Sequence, residues 1–320
     1  MTEAKSLSSR NSSFSPDIYG LQLAWDSTSL GTFKECPRKY QYSIIEGWQP
    51  RQQSVHLWFG QLYHKALEGY DHARSAGESH ELAQQYALYI CLVQTWDFAK
   101  GRVISFDDPN KTRETLCRSV LWYLEQFGEN DSCQTVQLAN GKPAVELSFR
   151  VTLGHISPTG DPYILCGHLD RLVIFSDQYY VLDRKTSKHQ IDDRFFQSFS
   201  PSNQMQIYNL GGQLVYQVPT KGIIIDGAQV AVTFTRFKRG FVNYSASQNE
   251  EFYKELGVWF ATAAAYAEAG FWPKNEKSCN NFGGCPFLSI CSKPPSIRED
   301  WLKAAFFQRI WNPLQVRGDI

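Results

Sequence analysis

Apolar positions recur at helical spacing along the first third of the chain and then give way to strand-like runs. Residues 55–73 set Trp58, Leu62, Ala66, Leu67 and Tyr70 on one stripe, which predicts a helix with one buried face. Asp26 and Ser27 are good N-cap types ahead of Leu30, Phe33 and Tyr40, and predict a helix that Pro37 interrupts just after Cys36. Two more helices are expected around 81–99 and 111–127, joined by GRVISFDDPN. The pattern then changes. AVELSFRVTL, YILCGHLDRLVIF and QYYVLDRKTS are rich in β-branched and aromatic residues and predict three strands. A helix is expected at about 203–216, a single strand at AQVAVTFTRF, and a strong helix at 247–268. REDWLKAAFFQRIW predicts a final helix packed on the domain.

This order predicts one α/β domain with a helical elaboration, in four segments. Residues 1–18 are serine-rich and aperiodic, and are expected to be a disordered tail. Residues 19–135 form an N-terminal helical region carrying Cys36 and His64, residues 136–245 the core, and residues 246–320 the C-terminal helices with a cysteine cluster. A composition of 42% hydrophobic and 14% aromatic residues excludes a wholly disordered chain. No run approaches the roughly 18 apolar residues of a membrane span. The start, MTEAKSLSSRNSSFSPD, has no apolar signal segment, so a cytoplasmic location is expected. Lysine plus arginine equals aspartate plus glutamate, 32 against 32, which excludes coating nucleic acid by bulk charge. A local basic groove stays open.

The most informative stretch is CGHLDRLVIFSDQYYVLDRKTS. If Ser176 and Asp177 form a two-residue hairpin loop, Asp170 lies opposite Asp183, and opposed Cβ atoms are roughly 4.5–5.5 Å apart. Two carboxylates that close repel unless a cation sits between them. Lys185 is two residues beyond Asp183 and projects from the same face. Mg²⁺ or Mn²⁺ prefers such oxygens, and the ammonium can stabilise charge on a phosphate or orient water. A solvated surface hairpin is the competing reading. Leu169, Leu172, Val181 and Leu182 weigh against it, because acids set in apolar strands are partly buried and need partners.

These residues resemble the PD-(D/E)XK nuclease superfamily, in particular its RecB-like and AddB-like branch. GHLDRL resembles the G-x-x-D-R motif and VLDRKTS the D-x-K-T motif. FGQLYHKALE resembles the G-x-x-x-H helix motif (Gly60 and His64), QMQIY the Q-x-x-x-Y motif (Gln204 and Tyr208), and STSLGTFKECPRKYQY the opening S-x-S-x-L…C-P-x-x-Y motif. The motifs run in family order over about residues 27–291. The resemblance implies a restriction-endonuclease-like mixed sheet flanked by helices, with an N-terminal helical elaboration and a C-terminal cysteine staple. It implies that Asp170, Asp183 and His64 are metal ligands and Lys185 the catalytic lysine. It also implies that Gln204 and Tyr208, four apart on one helix face, line the site. Glu146, in the preceding strand, is within reach but stands outside this core set. Within that branch the chain resembles the iron–sulfur, CRISPR-associated-exonuclease-like members, and a phage origin would fit.

Eight cysteines in an apparently intracellular chain argue against a disulfide framework. Cys91, Cys117, Cys133 and Cys166 are scattered and read as small buried hydrophobes. Cys279, Cys285 and Cys291 fall within thirteen residues, beside Gly283 and Gly284, and packing does not require them. A tetrahedral metal or an iron–sulfur cube needs a fourth thiolate. The resemblance supplies Cys36 in that role, implying a [4Fe–4S] cluster, with structural Zn²⁺ as the alternative. The spacing departs from the commoner family pattern: five residues, not two, separate Cys279 from Cys285.

A nuclease needs basic surface for its polyanion. Candidates are Arg38, Lys39 and Arg51; Arg184, Lys188 and Arg194; and Arg236, Lys238 and Arg239, with Phe237 and Phe241 as base-stacking groups. The resulting expectation is a Mg²⁺- or Mn²⁺-dependent exonuclease on single-stranded DNA ends. No G-x-x-x-x-G-K-[ST] is present, so any unwinding falls to a separate helicase or recombination partner. A catalytically silent nucleic-acid-binding or assembly module of the same fold is the alternative, and RNA as substrate also stays open. No membrane partner is expected.

Overall fold

The computed structural model describes residues 12–52, 54–215 and 219–315. The chain divides into two compact units, and they interleave in sequence. One comprises Met1–Gln52, Phe149–Gly167 and Ala246–Ile320; the other comprises Gln53–Ser148 and His168–Ser245. Two long strands, Val145–Ile156 and Pro162–Phe175, each begin in one unit and end in the other. Of the expected tail, residues 1–11 lie outside the described residues. Residues 12–18 do not form a tail: Phe14 bridges Gln22, and Ser13 is buried.

The unit of Gln53–Ser148 and His168–Ser245 begins with helices α1 (Val55–Ser75), α2 (His80–Gln94) and α3 (Arg113–Phe127). Their apolar stripes meet in one core of Phe59, Leu62, Ala66, Leu116, Val120 and Tyr123, joined by Ala228 and Val230 from the sheet. The sheet is built from β1 (Val145–Ile156), β2 (Pro162–Phe175), β3 (Gln178–Ser187), β4 (Thr220–Val230) and β5 (Thr235–Asn243), with helix α4 (Asn203–Val215) between β3 and β4. Strands β2 and β3 pair antiparallel, β3 and β4 parallel, and β4 and β5 antiparallel. The parallel step needs a crossover, which α4 supplies. Gly60 of α1 faces Thr186, whereas Gly212 of α4 faces Val181. Positions 181 and 186 project to opposite faces of β3, so helices cover both faces. This is the mixed α/β sheet flanked by helices that the sequence predicts.

The hairpin is in the predicted register. Phe175 pairs with Gln178 and Arg171 with Leu182. Ser176 and Asp177 have φ of 48° and 59°, as a two-residue type I′ loop requires. AQVAVTFTRF is not one strand. A tight turn, in which Ala231 N–H donates to Phe234 O at 3.0 Å, splits it into the ends of β4 and β5. Strand β4 starts earlier, at Thr220, and its buried run Ile223–Ile224–Ile225 is that of a central strand.

In the other unit, helix Ser27–Glu35 starts at a capping box between Asp26 and Ser29, and a short helix Pro37–Tyr40 follows Cys36. Ala24–Trp25 pairs parallel with residues 164–165. Trp25 stacks on Tyr40 and packs with Phe33 and Phe260, the last from helix Ala246–Glu268. The predicted final helix stops at Ala305; Phe306–Gln308 instead pairs antiparallel with Trp48–Pro50. Among the described residues no helix is long and apolar enough to cross a membrane.

Candidate active site

The ladder between β2 and β3 ends at Arg171 and Leu182. One position further on, the two acids take over. Arg184 N–H donates to the Asp170 carboxylate at 2.9 Å, so a side chain accepts a backbone donor where regular pairing stops. The same register sets Asp183 across from Asp170. Both acids are buried, Asp183 almost completely. Lys185 Nζ lies 2.5 Å from Asp183 Oδ2.

His64 arrives from α1, more than a hundred residues earlier in the chain. Its Nδ1 is 3.2 Å from Asp170 Oδ2. Glu146 completes the set. Ala144 O accepts from Leu172 N–H, and Ser148 Oγ meets His168 Nδ1. Those two links bring Glu146 level with Asp170. One donor atom each from His64, Glu146 and Asp170 lies within 4.8 Å of the others. Asp183 stands outside that trio and faces Lys185. Glu146 has φ of 48° within a strand. A left-handed non-glycine residue costs about 1–3 kcal/mol and is typically held in place at functional sites.

The two aspartates are tuned in opposite directions. Burial works to raise the Asp170 pKa, but the His64 imidazole and the Arg184 N–H outweigh it and hold the carboxyl well below its usual range. Burial raises the Asp183 pKa, and Asp170 adds to that although Lys185 opposes it. For His64, burial disfavours the charge but Asp170 wins, and the imidazole pKa is raised. Two acids pushed apart by their surroundings suit different roles in one site. Hard oxygen donors with one imidazole also suit a divalent cation.

Gln204 and Tyr208 bond to each other, Gln204 Nε2 donating to Tyr208 Oη at 2.9 Å. They lie on α4, which covers the face of β3 carrying Asp183 and Lys185. Three of the proposed nucleic-acid contacts are engaged elsewhere. Arg184 is buried and donates to Asp71 at 2.7 Å. Arg239 holds Asp131 and Asp226. Phe237 packs edge-on against Tyr123 inside the helical core. Lys238 pairs with the exposed Asp193 at 3.2 Å, and Phe241 and Lys188 remain accessible.

In the other unit, Cys36 meets the C-terminal cysteine segment. Asn275 N–H donates to Cys36 Sγ at 3.3 Å, and Asn275 Nδ2 to Glu35 O at 2.9 Å. Cys285 N–H donates to Cys279 O at 2.7 Å. Cys285 and Cys291 pack against Tyr42, Trp48, Phe287, Ile290, Leu302 and Phe306. Burial pushes both thiols up, and Cys36 adds to the shift at each.

The fold agrees with comparison to known proteins. The chain is similar in structure to a protein from Eubacterium rectale described as an exonuclease, with a TM-score of 0.51 and 11% identity, over 87% of this chain and 92% of that one. At that identity the likeness shows the fold alone. SSO0001 gives a TM-score of only 0.28, with 15% identity over 46% of this chain and 59% of that one, and carries no argument. No curated protein matches in sequence. The family model for the PD-(D/E)XK nuclease superfamily matches residues 25–292. Its members act on nucleic acid and generally use divalent metal ions. By a match over most of its length, the chain belongs to the PD-(D/E)XK nuclease superfamily.

Proposed function

We propose that this chain is a Mg²⁺- or Mn²⁺-dependent deoxyribonuclease that trims single-stranded ends, with a structural [4Fe–4S] cluster in the manner of the RecB-like and AddB-like branch. The observation that carries the nuclease reading is the meeting of His64 and Glu146 with Asp170. Hairpin geometry alone would not bring them there. His64, Glu146 and Asp170 would hold the ion, with Asp183 beside them. When bound, the ion would supply Lewis-acid stabilisation of charge on phosphoryl oxygens and make water more acidic.

The chain's own groups do the rest. Asp183 fixes the Lys185 ammonium, which orients water and neutralises charge that builds on the phosphate. Hydrolysis adds water across one P–O ester bond, leaving a phosphate on one fragment and a hydroxyl on the other. Gln204 and Tyr208, tied together on α4, position Lys185 or the phosphate from the same face. The preference for DNA ends rests on the motif resemblance and on likeness to a protein described as an exonuclease. A cytoplasmic setting and a separate helicase partner go with this reading.

For the cysteines, the motif resemblance favours the cube, with structural Zn²⁺ as the alternative; Asn275, next to the C-terminal cysteines, donates its N–H to Cys36 Sγ at 3.3 Å. Protein purified without oxygen should therefore be brown and carry about four irons per chain. One zinc and no iron would reject the cluster.

The nuclease reading is tested by digesting end-labelled single- and double-stranded DNA with Mg²⁺ or Mn²⁺. Wild type should degrade single strands progressively from an end. Asp170→Ala, Asp183→Ala and Lys185→Ala should each lose on the order of a thousandfold in rate. Equal cleavage by all four proteins would overturn the mechanism.

A further inference from the structure

A second cluster of charge gathers around the first turn of α1, apart from the acids. Ser54, the N-cap residue, makes no side-chain capping bond, and the first turn contains no acid. The N-terminus of a helix of 21 residues thus presents N–H groups and a positive dipole end. His56 lies in that turn. Around it sit Lys111 and Lys188, with the carboxylate of Asp108 among them. His56 Nε2 and Lys188 Nζ are each 3.7 Å from Asp108 Oδ2.

Lys111 makes the cluster more than a helix end. Its side chain is 2% exposed. Among the described residues its ammonium has no hydrogen-bond partner. It lies 4.2 Å from the ring centroid of Phe59, one turn into α1. A buried ammonium without a hydrogen-bonded partner is costly. Burial lowers its pKa to about 8, and Asp108 only partly opposes that. His56 is also held below its usual value, by burial and then by Lys188, with Lys111 adding to the shift. Asp108 therefore faces three basic groups, and the surplus among these four is positive.

The position fits a strand running through the active site. Lys188 follows Lys185 by three residues, on the order of 10 Å along an extended chain. Gly60 of α1 lies against Thr186, which holds the helix start near the end of β3. We propose that the first turn of α1, Lys111 and Lys188 form an anion subsite for a backbone phosphate flanking the bond that is cut. That assignment of the anion rests on the nuclease reading.

The test measures binding of a fluorescein-labelled single-stranded oligothymidylate in EDTA, across a salt series, for wild type, Lys111→Met and Lys188→Met. Each variant should bind roughly five- to tenfold more weakly, and the salt slope should fall by about 0.7 for the lost phosphate contact. The thermal midpoint of Lys111→Met should equal or exceed that of wild type, because a buried charge has been removed. Unchanged affinity and slope in both variants would overturn the subsite, as would undetectable binding by wild type. A lowered midpoint for Lys111→Met would overturn it too, by making Lys111 a structural prop. If wild type binds and the variants do not, yet no DNA is cut with Mg²⁺ or Mn²⁺, the subsite stands and the nuclease reading fails. Normal cleavage with an unchanged KM in both variants would do the reverse.

Discussion

Asp170 and Arg171 are neighbours in the chain, as are Asp183 and Arg184, yet the acids and the arginines are treated in opposite ways. The arginines enter a network of opposite charges. Arg184 donates to Asp71 at 2.7 Å, while Arg171 lies 3.7 Å from both Asp71 and Asp131 and donates to Thr135 at 2.6 Å. Arg239 extends this to Asp226, which also accepts from Tyr123 Oη at 2.5 Å. Each buried charge there has a fixed opposite. The acids are grouped differently: Asp170 sits across from Asp183, and one donor atom each from His64, Glu146 and Asp170 lies within 4.8 Å of the others. The first arrangement braces α1 on the sheet. The second gathers carboxylates at a point where a cation can be held. The difference teaches that buried charge in a strand is not by itself a sign of chemistry; convergence of several acids on one point is.

Breaking the brace should give the largest change in stability. Arg184→Met leaves Asp71 buried without its closest partner and should cost about 3–5 kcal/mol in chemical denaturation. Replacing both, Asp71→Leu with Arg184→Met, should restore most of that. A single variant as stable as wild type would show that the network is not a brace.

Smaller effects, of opposite sign, should separate the two aspartates in metal-free protein. Asp170→Asn should lower stability by about 1–2 kcal/mol at neutral pH, because His64 and the Arg184 N–H favour the charged form. With its folded pKa depressed, Asp170 contributes stability above the unfolded carboxylate pKa, and loses it as pH falls through the folded value. Asp183→Asn should instead leave stability unchanged or raise it at neutral pH. The raised folded pKa of Asp183 means its charge penalises the fold there; the penalty fades as pH falls through the folded value and is gone below the unfolded carboxylate pKa. Thermal melts of both variants from pH 7 to pH 3 check the pair; the same sign for both would contradict the tuning described here.

Much of the acid side was legible in the sequence, because a two-residue loop fixes hairpin register. Once Ser176 and Asp177 formed the turn, the placement of Asp170, Asp183 and Lys185 followed from strand alternation. His64 and the Cys36 role came only through motif resemblance, since nothing local relates a helix at residue 64 to a strand at residue 170. Glu146 needed the pairing of β1 with β2, and its left-handed backbone breaks simple alternation. The arginines misled for a related reason. In sequence, Arg184 and Arg239 look like solvated charge; their partners Asp71, Asp131 and Asp226 are distant in the chain. Asp71 lies seven residues after His64, on the same helical stripe, so one face of α1 serves both the brace and the site.

Metal uptake tests the central claim most directly, because it asks whether the converging acids attract a cation. Free Mn²⁺ can be followed by its electron paramagnetic resonance signal during titration with protein. Wild type should remove Mn²⁺ from solution, Asp170→Ala and Glu146→Ala should not, and Arg171→Lys, in the arginine network, should match wild type. Equal Mn²⁺ uptake by wild type, Asp170→Ala and Glu146→Ala would contradict the account.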